Sequence, residues 1–437
     1  MKLTGGFAVV KQAFSMPNYR LYVIGNLTST TGLWMQRVAI GWLTWELTQS
    51  AAWLGAIVMA ESVPALVLGL FGGALVDRMD CLKLLRITQV LSVAYSVMLA
   101  ISTFAGIMDI WLLFSLTLFR GGVLAFSRPS RMTVVYAVVG RDLLASALAL
   151  NSMIFNLSRF VGPGLGGAVI ATVGSPYGVA VAFTLSAIML CVMTVALSIM
   201  RLPPSGPPAG SKHQSMLSDT FAGVRYILGQ RTIRVQIFLL ICTSTLAKPV
   251  MDLYPGFAAD VFGRGADGLG LLLSCHGLGA TLGGAWLTSR SGGVKGLTKI
   301  MISAILVMAI ALLIFTSSHW FWLGCAMAML CGSMFIIMSV SNQTLIQASV
   351  DPSLRGRVIG VYGMVAQDLP AVGAMMMGGF AEHFGLQLPV AIGAGICLIV
   401  WSWAIRQRRW MAASAETELP ADAARGRGGS SGGATAG

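Results

Sequence analysis

The stretch GGALVDRMDCLKLL, Gly72–Leu85, runs from glycines and aliphatics straight into Asp77 and Arg78, with Lys83 and Arg86 close behind, and long apolar runs lie on both sides. A tight charged elbow between two oily segments is what a chain needs where it leaves a membrane and turns back in. Of 437 residues, 56% are hydrophobic and 10% charged, and the mean hydropathy is +0.79. Soluble domains carry roughly 25% charged residues. Each spanning helix needs about 20 mostly apolar residues. Cutting the chain at charged or Gly/Pro/Ser punctuation gives twelve such pieces, 21–46, 52–76, 86–106, 110–128, 144–172, 176–200, 233–258, 268–289, 298–317, 319–346, 357–382 and 386–405. The alternation of a membrane β-barrel is absent from the sequence. The fold class expected is an all-α membrane protein with twelve transmembrane helices.

The net charge of +13 would point to nucleic acid in a soluble chain, but here the placement of the charges decides. With the N-terminus inside, the loop cations, among them Arg20, Arg78, Lys83, Arg86, Arg128, Arg131, Arg141, Arg201, Arg231, Arg234, Arg290, Arg355 and Arg406, face the cytoplasm, and only Arg264 falls outside. That asymmetry satisfies the positive-inside rule, puts both termini in the cytoplasm and removes a nucleic-acid partner. Seven cysteines, including Cys81 and Cys397, show no CxxC or metal-ligand spacing, so free thiols and no metal site are expected. The first twenty residues hold too short an apolar run for a cleaved signal, and the first span is expected to act as its own insertion signal.

The segment RLPPSGPPAGSKHQSMLSD, Arg201–Asp219, is Pro/Gly/Ser-rich and divides the spans six and six. GGALVDR at Gly72 recurs as GGAWLTSR at Gly283, and VGPGLGG at Val161 recurs as VGAMMMGG at Val372, both 211 residues on. Two matches at one offset mark an internal repeat. The expected organisation is a six-helix bundle over 1–200, a cytoplasmic linker over 201–231, a second six-helix bundle over 232–409 and a disordered tail over 410–437. Parallel repeats of this size are a transporter architecture, with the site near the bilayer midplane between halves that rock.

Gly73, Asp77 and Arg78 in Gly-x-Leu-x-Asp-Arg resemble the loop signature of the major facilitator superfamily, and Gly162, Pro163, Gly166 and Gly167 resemble its antiporter motif. The runs NYRLYVIGNLTSTTGLWMQRVAIGWLTWELTQS, LALNSMIFNLSRFVGPGLGG and LRGRVIGVYGM are similar to the bacterial drug and siderophore exporters of that superfamily, the branch containing the enterobactin exporter and macrolide efflux proteins. The likeness covers roughly residues 17–405. It implies a secondary transporter in the bacterial inner membrane, monomeric, exporting a small organic molecule in exchange for protons, with no cofactor. The chain departs from the pattern in three places. Asp80-Cys81-Leu82 stand where the loop motif continues Gly-Arg-Lys, which displaces the basic partner to Lys83 or Arg86. Thr288 replaces the acid in the second copy, and Ala149 and Ser158 stand where the antiporter motif has glycine. Arg120 falls where the family often places a buried arginine linked to proton coupling.

An ionisable group at mid-bilayer costs at least ~2.5–3.5 kcal/mol and is a candidate for function. Inside the spans stand Arg37, Glu61, Arg120, Arg159, Lys248, Asp252 and Asp368, with His276 as a titratable extra, and none lies inside spans three, six, nine or twelve, the peripheral helices of the superfamily. Lys248 and Asp252, four apart, either neutralise each other on one helical face or serve the pathway. Glu61 and Asp368 are the candidate proton carriers, since a carboxylate in a low dielectric can load and release a proton near neutrality. His276 among glycines reads as a packing or hydrogen-bonding residue, and Met375, Met376 and Met377 as a pliable lining for apolar ligands. Four cations (Arg37, Arg120, Arg159, Lys248) against three carboxylates favour an anionic substrate such as a catecholate siderophore, with a neutral or cationic drug as the rival. Uptake in place of export stays open, as does a non-transporting sensor or scaffold. An enzyme is not expected: the sequence holds no GxxxxGK[ST], HExxH or GxSxG.

Reporter fusions should place residue 210 and the C-terminus in the cytoplasm and the loop around Gly265 outside. An external residue 210 would break the twelve-span reading.

Overall fold

The computed structural model describes residues 16–76, 80–200, 216–290 and 293–416. The helices are α1 (Pro17–Thr48), α2 (Ala51–Val76), α3 (Cys81–Phe104), α4 (Ile110–Gly140), α5 (Ser146–Val173), α6 (Tyr177–Ile199), α7 (Met216–Gly229), α8 (Arg231–Leu246), α9 (Val250–Gly256), α10 (Ala266–Ser289), α11 (Leu297–Ser317), α12 (Phe321–Ser349), α13 (Arg355–Gln367), α14 (Leu369–Phe384) and α15 (Gln387–Ala415). The run from Ile110 to Val173 is broken at Gly140, whose φ of 69° and ψ of −175° end α4. A shift of 211 residues lays α4 onto α12, α5 onto α13 and α14, and α1 onto α8 and α9, so the repeat in the sequence is a repeat of structure.

Among the described residues, eleven helical segments are long and apolar enough to cross a membrane. The segments α8–α9 and α13–α14 each make one span. The 32-residue α1 has the length of a twelfth but carries Asn26, the run Thr28-Ser29-Thr30-Thr31, Gln36 and Arg37. Those polar groups are turned inward: Gln36 donates to Ser96 Oγ (2.8 Å), Thr31 to Ser158 Oγ (3.0 Å), and Gly32 O accepts from Ser186 (2.9 Å). Hydropathy falls short in α1 because its neighbours satisfy its polar side chains.

Several boundaries move. Span four runs on to Gly140, twelve residues past the expected end at 128, because the residues after Pro129 return to an apolar pattern. A 14-residue helix, α7, lies within the stretch read as linker and packs on α13, with Gly223 against Arg357 O. The tail read as disordered from 410 begins as helix: α15 continues to Ala415, and the Glu416 carboxylate accepts from Gly296 N (2.6 Å) and Thr298 N (2.9 Å) at the start of α11. Residues 417–437 lie outside the described residues.

The breaks in spans seven and eleven follow from proline. A proline has no N–H for the carbonyl four residues before it, and its ring crowds that carbonyl. Pro249 separates α8 from α9, and Pro370 stands just inside α14, after the break at Asp368. Non-helical backbone at membrane depth survives only where protein or a water-filled cavity meets its polar groups, so these two breaks mark the centre of the molecule.

The two halves share one apolar core at the end where α1 stops and α2 starts: Trp45, Leu54 and Met35 cluster with Tyr254, Phe257, Phe315 and Met377. At the opposite end their cores are separate, one around Tyr22, Leu85 and Val134, the other around Ile233, Val350 and Tyr362. The shared end is sealed by backbone contact. A Cβ on Gly167 would stand 2.6 Å from Ala266 O and 2.8 Å from Gly270 Cα, and one on Gly55 would stand 2.6 Å from Ala374 O. Glu382 adds a polar lock, accepting from Ser50 Oγ (2.5 Å) and Ala52 N (3.0 Å). The halves are therefore closed at this end.

Gly167→Val forces the closed end apart. Overpacking costs about 1–3 kcal/mol, enough to shift the balance of closed and open forms by a factor of about 5 to 150. Spin labels at Thr172 and Phe384 should show a longer separation in the variant, and an unchanged distance distribution would show that the contact does not control closure.

Candidate functional site

At the centre of the bundle the seven ionisable residues singled out in the sequence meet an eighth, Arg128. Arg37 of α1 reaches Asp252 of α9, Nη2 to Oδ1 2.5 Å. Arg120 of α4 reaches Glu61 of α2, Nε to Oε1 3.2 Å, and lies 5.4 Å from the Tyr95 ring. Arg128, also of α4, reaches Asp368 between α13 and α14, Nη1 to Oδ1 3.5 Å. Arg37–Asp252 and Arg128–Asp368 join the two halves, whereas Arg120–Glu61 lies within one.

The carboxylates of Asp252 and Asp368 are only 6% and 13% exposed, yet the Arg37 and Arg128 side chains that reach them are 42% and 52% exposed. The space between the halves therefore admits solvent. A pair with one partner exposed is weaker than a dry one, so both links between the halves can be broken without a large cost.

Lys248 and Asp252 do not neutralise each other. Asp252 goes to Arg37, and Lys248 Nζ donates to Ala366 O (2.7 Å) while lying 5.4 Å from the Phe335 ring. Ala366 stands four residues before Pro370, so its carbonyl is the one that the missing proline N–H leaves free. Lys248 is hydrogen-bonded but not neutralised. It occupies the position of Arg37 displaced by 211, so both halves carry a cation at equivalent places.

Arg159 of α5 is 8% exposed. Its Nη2 meets only the Met251 sulfur (3.8 Å), and no acceptor among the described residues reaches Nε. Its guanidinium lies 5.6 Å from the Trp34 ring, as does that of Arg37, so one indole of α1 serves two cations. His276 is buried and shares a hydrogen bond with Tyr254 through Nδ1 (3.2 Å), in keeping with a hydrogen-bonding role. Met377 belongs to the shared core, while Met375 and Met376 are exposed.

The glycines that resemble the antiporter motif stand at close approaches between helices. Gly162 and Gly166 press against Thr31 O and Met35 O of α1, and Gly167 against α10 of the other half. Gly373, 211 residues after Gly162, presses in the same way on Thr245 O. In the loop motif, Gly73 belongs to α2, Asp77 and Arg78 lie outside the described residues, and Lys83 is exposed. Arg86 is spent elsewhere, donating to Leu197 O (2.8 Å) and Met200 O (2.7 Å) at the end of α6. Asp80, in the place of the usual glycine, caps α3 by accepting from Leu82 N (2.9 Å).

Arg128 and Arg131, expected in a cytoplasmic loop because a charged Arg-Pro-Ser-Arg run resembles a span end, lie within α4. The apolar residues from Val134 to Val139 were the signal that the helix continues. Arg131 binds Asn26 Oδ1 (2.9 Å). Trp34, Met251 and Tyr254 carry no charge and no motif, so nothing local marked them.

Residues 9–424 match the transmembrane secretion effector family. The chain is similar to the multidrug efflux pump Tap of Mycolicibacterium fortuitum, 26% identical over 377 residues, 84% of this chain and 90% of that protein. It is likewise similar to the enterobactin exporter EntS of Shigella boydii serotype 4 (strain Sb227), 26% identical over 378 residues, 86% and 87% of the two chains. Two solved structures share the fold. The nucleoside transporter NupG has a TM-score of 0.68 at 14% identity, covering 89% of this chain and 98% of its own. A bacterial homolog of the human lysosomal transporter Spinster, inward-facing and occupied, has a TM-score of 0.69 at 13% identity, covering 93% and 99%.

Asp252→Asn should lower the melting temperature of the purified protein by an amount equal to about 1–2 kcal/mol, the low end for a charged hydrogen bond because Arg37 is partly solvated. The double exchange Arg37→Asp with Asp252→Arg should recover most of that loss. If the exchange melts no higher than the single variant, the pair is not what joins α1 to α9.

Proposed function

The chain belongs to the transmembrane secretion effector family of the major facilitator superfamily, a family of transporters and not of enzymes, and on that premise we propose that it exports a small organic molecule in exchange for protons. It is a multi-pass secondary transporter with a small-molecule substrate. The reading places it as a monomer in a bacterial inner membrane with both termini in the cytoplasm, because the loop cations gather at that end. The sealed end is then the periplasmic one, and the solvent-accessible centre opens toward the cytoplasm, the arrangement from which an exporter loads. The names of its relatives, a multidrug efflux pump and an enterobactin exporter, support outward transport of a siderophore-like anion or a drug.

One observation carries the coupling. Of the two candidate proton carriers, Asp368 pairs across the halves with Arg128, whereas Glu61 pairs with Arg120 inside one half. Protonating Asp368 removes one of the two ion pairs that join the halves and so favours their separation. Protonating Glu61 leaves the link between the halves untouched. Asp368 is therefore assigned as the coupling carboxylate, with Arg128 as its partner. The loop-motif residues Gly73, Asp77, Arg78 and Lys83 serve in this reading as a gate at the cytoplasmic mouth, and the antiporter residues Gly162, Pro163, Gly166 and Gly167 act on the rocking motion.

In proteoliposomes, a panel of catecholates and lipophilic drugs should include a compound whose accumulation depends on an imposed pH gradient. Asp368→Asn should abolish the gradient dependence and retain downhill movement, and Glu61→Gln should slow transport without uncoupling it. Gradient-driven accumulation surviving in Asp368→Asn would refute the assignment.

A further inference from the structure

The central charges do not balance. Arg37, Arg120, Arg128, Arg159 and Lys248 face Glu61, Asp252 and Asp368, and the three carboxylates are taken by Arg120, Arg37 and Arg128. Lys248 has the carbonyl that Pro370 frees. Arg159 has neither a carboxylate nor a carbonyl: a thioether sulfur is its one hydrogen-bond partner among the described residues, and its Nε is buried without an acceptor. Arg37 shares its indole, and Lys248 and His276 lie within electrostatic reach. An indole face offers a cation some stabilisation, but a planar guanidinium with five donors is built for a carboxylate or a like acidic oxygen pair. Leaving such a group buried and unanswered costs several kcal/mol.

Position makes the deficit specific. Arg159 sits one turn before Gly162 on α5, at the level where α1, α5, α9 and α10 meet. Its own carbonyl is pressed by Gly277 of the other half, and the carbonyl of the next residue, Phe160, accepts from Ser274 Oγ (2.8 Å). The backbone that carries Arg159 is thus in contact with both halves, and its guanidinium lies between Trp34 of α1 and Met251 of α9.

We propose that Arg159 is the residue that selects the substrate: its guanidinium binds an acidic group, a carboxylate or catecholate, of an organic anion in the central cavity. This rests on the transport reading above and names the substrate class of the same site. The anion supplies the acceptor that Nε lacks and a stronger one than the Met251 sulfur for Nη2, and its charge offsets the surplus that Arg159 and Lys248 create. A cationic drug at the same place would meet the two cations that no carboxylate answers, Arg159 and Lys248.

The test measures binding by the purified full-length protein, independently of transport, with three ligands of matched shape: salicylate, salicylamide and 2-hydroxybenzylamine. Salicylate should bind about tenfold or more tighter than the amide and the amine, a preference of about 1.4 kcal/mol. Arg159→Gln should erase the preference, and Arg159→Lys should keep part of it. Equal binding of acid and amide by the unaltered protein, preference for the amine, or no salicylate binding each overturns the proposal without any variant. A second measurement covers the variants: the ligand-free Arg159→Met protein should melt no lower than the parent, because a buried charge without a partner has been removed. A clear fall would give the guanidinium a structural partner and overturn the proposal. Export could fail in vesicles while the preference for the acid stands, and the two readings are thereby separated.

Discussion

A charge inside a bilayer must be answered within the protein, and the centre of this transporter is organised by how its cations are answered. Each would cost several kcal/mol if left to lipid. Three arginines take carboxylates, Lys248 takes a backbone carbonyl, and Arg159 lies against an indole and a thioether. Because Arg37–Asp252 and Arg128–Asp368 run between the halves, the central charges also link them. A permanent hydrophobic seal at the same place would hold them in one state. Partly solvated ion pairs hold them less firmly, because water can take the place of either partner.

The backbone prepares the places for these charges. Proline at 249 and 370 breaks spans seven and eleven where Lys248, Asp252 and Asp368 stand, and the carbonyl freed by Pro370 becomes an acceptor for Lys248. Between helices in lipid there is no hydrophobic drive to pack, and close approach of small residues takes its place. Gly167 against Gly270 and Gly55 against Ala374 bring backbones together at the sealed end. Such contacts have little side-chain interdigitation to undo when the halves separate. Gly162 and Gly166 bring α5 close to α1 within one half, and Gly167 brings it close to α10 of the other.

Some of this was legible in the residues and some was not. The intramembrane positions of Arg37, Glu61, Arg120, Arg159, Lys248, Asp252 and Asp368 could be read because each interrupts an apolar run. Arg128 could not, since a charge beside a proline is also how a span ends. The spacing of Lys248 and Asp252 invited a local pair, and the break at Pro249 removed it by turning the two side chains to different partners. Arg86 looked available to the loop motif until the end of α6 claimed it through two carbonyls.

What the chain alone determined is arranged along one axis. Hydropathy and the placement of loop charges are local properties, and a membrane converts them into span number and depth, while the repeat at 211 residues establishes that the second half copies the first. The tertiary structure decided everything that depends on rotation about that axis. The partners in the three central ion pairs stand 215, 59 and 240 residues apart, and which of them meet is set by how far each helix is turned and how closely glycines let the halves dock. No local pattern encodes that angle, because the same apolar stripe accepts lipid, a neighbouring helix or the opposite half with nearly equal free energy.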